Sequence, residues 1–127
     1  MGDRGNVGII QPGGHVLFLY THWTGSQLVT DLAQALAVAE PRWNDITYAT
    51  RIVISQIIGD QWDNPSGYGL SIDTPGDTEQ PPHPTPVVSF MPRPVSVYAP
   101  HWAPDVGAAR VHTFHKFIEL YGPLIES

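Results

Sequence analysis

Five consecutive apolar residues, Val16-Leu17-Phe18-Leu19-Tyr20, constrain the fold of this chain more than any other stretch. A strand sends alternate side chains to opposite faces, so an apolar run of both parities must be covered on both sides. His15 to Thr21 is therefore expected to be a central strand. A second strand, Val7 to Ile10, precedes it across Gln11-Pro12-Gly13-Gly14, where proline presets one turn dihedral and glycine supplies positive φ. The pair is predicted to be a hairpin.

Helical spacing follows at once. Leu28, Leu32 and Leu36 recur four apart beside Val29, Ala33 and Ala37, with Ser26 as the expected cap and Asp31 and Gln34 on the outer side. Pro41 disfavours helical geometry at Glu40, so this helix should stop near Ala39. A second helix is predicted from a cap at Asn44 or Asp45, with Ile46, Ala49, Ile52, Val53, Gln56 and Ile57 as its stripe and Gly59 as its left-handed end. Both should pack on one face of the sheet. Gly67 to Ile72 reads as a short strand. Residues 73–86 carry five prolines and three acidic residues and read as an extended, solvated loop. Val87 to Phe90 and Val95 to Tyr98 read as strands that Pro92 and Pro94 confine to an edge or to a proline-turned hairpin. A last helix is capped by Thr113, buries Phe114, Phe117, Ile118 and Tyr121, and ends at Gly122-Pro123.

The order β, β, α, α, β, β, β, α describes an α+β fold: a small, mostly antiparallel sheet covered by two or three helices. With 127 residues, 42% of them hydrophobic, one domain over 1–127 is expected. Twelve acidic residues against six basic ones leave a net charge of −6, which lacks the footprint of a duplex nucleic-acid binder. Cysteine is absent, which excludes disulfides, thiolate catalysis and cysteine-based zinc modules. No apolar segment reaches the roughly 18 residues of a membrane span, and the first residues lack a secretion pattern. A cytoplasmic protein with no membrane partner is expected.

Chemistry concentrates where the apolar strand ends. There His22-Trp23-Thr24-Gly25-Ser26 puts an imidazole and an indole beside the first amides of a helix, and such amides favour an anion. Tyr20, His22, Trp23, Thr24, Gly25 and Ser26 are therefore candidate ligand-binding residues, together with Arg42, Trp43 and Arg51 from the second helix and its approach. Arginine suits bidentate contact with phosphate and also stacks on rings. Arg42 and Arg51 lie nine apart, on roughly opposite sides of a helix, which makes Arg51 the better of the two. The set suits a nucleotide-like small molecule.

Catalysis has no positive argument. There is no Gly-x-Ser-x-Gly elbow, no phosphate-cradling or dinucleotide loop, and no evident carboxylate pair, so neither catalytic residues nor a cofactor is assigned. His112 and His115 sit three apart, with Asp105 as the candidate carboxylate. A two-histidine zinc helix needs four with Glu between, so no metal ligands are assigned, and a metal-assisted hydrolase ranks last. His101-Trp102, with the strands around Pro92 and Pro94, supports the alternative of a protein-interaction inhibitor, which in the viral setting implied by the resemblance given below would act on a host enzyme. A homodimer is the default assembly, because a two-fold interface is the simplest symmetric way to build a pocket between copies.

The ordered set Tyr20-x-His22-Trp23-x-Gly25, Arg42-Trp43-x-Asp45, Tyr48, Arg51-Ile52 and Gly67-Tyr68-Gly69-Leu70-Ser71 resembles small uncharacterised bacteriophage and prophage proteins, over roughly residues 6–72. The resemblance implies a viral accessory role in the host cytoplasm and brings no catalytic residue with it. Combined with the candidate site, it suggests sequestration of a nucleotide-like host defence signal.

Overall fold

The computed structural model of the chain describes residues 2–76, 83–90, 94–98 and 110–122. Six strands, β1 (Gly5–Ile10), β2 (Val16–Thr21), β3 (Tyr68–Ile72), β4 (Thr85–Val88), β5 (Pro94–Tyr98) and β6 (Arg110–Thr113), form one sheet in the order β3-β2-β1-β4-β5-β6. Three helices, α1 (Leu28–Val38), α2 (Ile46–Ile58) and α3 (Phe114–Tyr121), accompany it. Only β1 and β4 run parallel; the other neighbours are antiparallel. The architecture is the expected α+β one, with an additional strand.

The hairpin closes as its turn residues dictate. Gly13 and Gly14 both take positive φ, and Gly14 N donates to Gln11 O at 3.0 Å. β2 lies between β1 and β3, covered on both faces. On one, Leu19 joins Val7, Ile9, Val88 and Val95 beneath Leu32, Leu36, Val53, Phe114 and Phe117 of the helices. On the other, Val16, Phe18 and Val87 form a second, smaller cluster. Gly8 makes room for it, since a Cβ there would stand 2.9 Å from the Phe18 ring. The two-sided apolar run therefore feeds two cores.

Several boundaries differ from the sequence expectation, each for a physical reason. A short 3-10 turn, Gly25–Gln27, precedes α1, and Ser26 makes no side-chain cap. Asp31 and Gln34 are half-buried rather than outward, and Gln34 Nε2 reaches Gly122 O beyond α3 at 3.4 Å. In α2, Asp45 is the cap and Gly59 closes the helix at φ 64°, both as expected. Its buried face is rotated, however: Thr50, Ile54 and Ile58 turn inward while Gln56 is exposed. Thr50 is held by Gln11, whose Nε2 donates to its hydroxyl at 3.0 Å.

β4 begins two residues earlier than expected and includes Pro86, which stands opposite Val97. The parallel pairing with β1 involves Val87 and Val88, so the missing proline N–H removes no rung there. β4 and β5 form the hairpin of the two proline alternatives, while the edge placement of β5 is not realised because β6 flanks it. Arg110-Val-His-Thr113 is too short and polar to announce a strand, and β6 was not expected. Pro92, His101, Trp102, Asp105 and residues 77–82 lie outside the described residues. Among the described residues no helix is long and apolar enough to cross a membrane.

Candidate functional site

The end of β2 carries three of the candidate side chains together. The Tyr20 hydroxyl and His22 Nδ1 are 2.8 Å apart, and the His22 and Trp23 rings meet edge to face at 5.6 Å. Trp23 lies over Gly67, where a Cβ would come within 2.9 Å of the indole, yet 53% of the residue is exposed. His22 is half-buried, and Gly2 packs against its Nε2 edge. The two rings are thus presented outward, but the imidazole is already engaged on two sides.

The amides expected to cradle an anion are taken by the chain itself. Asp3 runs alongside, its N–H donating to His22 O at 2.7 Å; its carbonyl accepts from Gly25 N at 2.7 Å and its Oδ2 accepts from Ser26 N at 2.9 Å. Thr24 N donates to the Thr21 hydroxyl instead, at 3.2 Å. Contact with Ser26 and His83 holds the Asp3 carboxyl at about 2, well below its ordinary 3.8. Gly25 does permit close approach, though of the Arg4 backbone: a Cβ would stand 2.6 Å from the Arg4 carbonyl oxygen. The anion-binding reading of Thr24, Gly25 and Ser26 is corrected accordingly.

Trp43 and Arg42 both have partners within the chain. Trp43 is buried, donates Nε1–H to Leu36 O at 3.0 Å and packs edge-on against Phe114 at 4.9 Å. Arg42 stacks over the Tyr48 ring at 4.4 Å with Asp45 3.7 Å away. His112 and His115 face different neighbours, Phe117 and Tyr121 for the first and Trp43 for the second. Among the described residues no group of three potential ligands could hold a metal ion.

Arg51 stands apart from these, on the wall of a groove between α2 and β3. One part, about 300 Å³, is lined by Gln11, Leu17, Thr47, Thr50, Arg51, Ile54, Trp62 and Leu70. An adjoining part of about 240 Å³ shares Trp62 and Leu70 and extends to Ile58 and Tyr68. Trp62 and Leu70 are each 52% exposed. Arg51 has no carboxylate within ion-pair distance among the described residues. Asp60 and Asp63 flank Trp62 in sequence, but neither lines the groove. A larger hollow of about 380 Å³ at the β1–β2 turn contains no charged side chain.

Sequence reasoning passed over Trp62 and Leu70. The signal was an indole set among Asp60, Gln61 and Asp63 just after a helix end, where a polar turn has no use for one. Compared with family models, curated proteins and solved structures, the chain matches none. Its functional reading therefore rests on geometry.

Proposed function

We propose that the chain is a binding module that takes a flat, anionic, nucleotide-like molecule in the groove between α2 and β3. The observation that carries this is a guanidinium that has no ion-pair partner among the described residues, on the same wall as a half-exposed indole. Arg51 offers paired N–H donors to a phosphate or carboxylate, while Trp62 and Leu70 offer an apolar plane to a ring. Gln11, Thr47 and Thr50 supply neutral polar contacts. The set matches the general character of small-molecule sites, mostly apolar with a few placed polar groups. In the viral setting that the sequence resemblance suggests, such a protein would act by withholding a host signal.

Calorimetry with a panel of mononucleotides and cyclic nucleotides tests the proposal, with Trp fluorescence as a second readout. Saturable heat with at least one member is expected. Removing Arg51 as Arg51→Ala should weaken binding by about tenfold to a hundredfold, the range for losing charge-assisted hydrogen bonds. Arg42→Ala and Trp23→Ala, both away from the groove, should leave affinity unchanged. Absence of heat for the whole panel, or equal affinity with and without Arg51, overturns the reading.

A further inference from the structure

We infer that β3 pairs with β3 of a second copy of this chain, extending the sheet across a two-fold axis through Leu70. The inference stands on the open ladder of β3 and holds whether or not the groove takes a ligand.

Among the described residues β3 is the end strand of the sheet, bonded on one side to β2. Just beyond its two ends, Asp73 N donates to Val16 O at 2.7 Å and His22 N donates to Gly67 O at 2.9 Å. Antiparallel rungs alternate, so between them Ser71 bonds Phe18 and Gly69 bonds Tyr20. Tyr68, Leu70 and Ile72 therefore turn their N–H and C=O groups outward, away from β2. These residues stand opposite Thr21, Leu19 and Leu17, so their side chains share the helix-bearing face.

That pattern is complementary to itself. Antiparallel pairing centred on Leu70 sets Leu70 against Leu70, and sets Tyr68 of each copy against Ile72 of the other. All three positions are bonded rungs, giving six inter-strand hydrogen bonds by the alternation rule. A two-fold contact of this kind is closed, so assembly stops at two. Natural sheet edges are usually guarded by charged residues or by proline, yet Ser66 to Ile72 contains neither. Leu70 and Ile72, at 52% and 57% exposed, lie instead beside the half-exposed Trp62. The opposite edge differs, for β6 begins with Arg110 and carries His112.

The size of the contact sets its strength. Half-exposed large side chains hide on the order of 100 Å² each when covered, so three per copy fall short of the about 1,200 Å² at which stable interfaces begin. The dimer is accordingly concentration-dependent. With both helical layers on the same side of the joined sheet, the two grooves meet over the paired strands and share a floor.

The absence of cysteine permits a direct test. In a bonded rung the Cα atoms are about 5.5 Å apart, inside the about 4.4–6.8 Å range that a disulfide spans. Leu70→Cys should therefore form a covalent dimer rapidly under mild oxidation, whereas Ser71→Cys and Val111→Cys should not. Sedimentation velocity of the unmodified chain should show a monomer–dimer equilibrium that Leu70→Lys abolishes while circular dichroism stays native. The inference is overturned by a monomer up to millimolar concentration, by a dimer indifferent to Leu70→Lys, or by cross-linking no faster at 70 than at 71 and 111.

Discussion

Asp3 decides what the start of the first helix can accept, because one carboxylate and one carbonyl occupy the amides of Gly25 and Ser26. Its folded value of about 2 lies below the ordinary 3.8, so ionised Asp3 stabilises the fold above pH about 4. That contribution is lost as pH falls from about 4 through 2, and thermal melts across this window should show a shallower acid limb for Asp3→Asn. Asp31 has the opposite sign, since burial raises its carboxyl and ionisation there opposes folding. Asp31→Asn should raise Tm at neutral pH and lose that advantage in acid. Gly25→Ala places a Cβ 2.6 Å from the Arg4 carbonyl, against backbone that cannot rotate away. Urea unfolding should show a loss of about 1–3 kcal/mol, typical of overpacking. The sequence made legible the concentration of His22, Trp23 and Gly25 where an apolar strand ends. It could not show that a segment some 20 residues earlier would fill the place, because that contact exists only once β2 is in the sheet.

Elements were legible where hydrophobic period and caps agreed, as they do for Asp45 and Gly59 around α2 and for Thr113 before α3, while α1 was legible from its period alone. The rotated face of α2 was not legible, because Ile52, Ile54, Ile57 and Ile58 offer apolar residues on more than one side. What chose between them is the sheet below and the Gln11–Thr50 hydrogen bond, both long-range. That rotation is also what carries Arg51 to the groove beside Ile54. Trp43 illustrates the converse, an aromatic next to an arginine that resembled a ligand platform and instead ties α1 to α3. Trp43→Ala should cost roughly 3–5 kcal/mol in denaturant unfolding, the range for deleting a large buried aromatic. Trp43→Phe should cost less, keeping the edge contact to Phe114 while leaving the Leu36 carbonyl without its donor. Equal losses for the two would mean that the indole N–H, rather than ring volume, carries the contribution.

The whole molecule is organised around a sheet that is buried unequally from centre to rim. Val7, Ile9, Phe18, Leu19 and Val88 are almost fully enclosed, so β1, β2 and β4 bind the helical layer to the second cluster. Among the described residues β3 and β6 carry exposed apolar side chains and stand at opposite ends of the strand order. This centre was readable from five apolar residues of both parities, while the strand order was not, because the parallel β1–β4 contact joins segments almost 80 residues apart. Hydrogen exchange reports that gradient directly, since local opening is easiest where apolar contacts are fewest. In dilute protein the amides of Val7, Ile9 and Leu19 should exchange only by global unfolding. Along β3 protection should alternate, slow at Gly69 and Ser71, whose N–H groups bond β2, and fast at Tyr68, Leu70 and Ile72. Raising the concentration should slow the second set selectively if β3 meets a second copy. Uniform protection along β3 in dilute protein would contradict the register assigned to that edge.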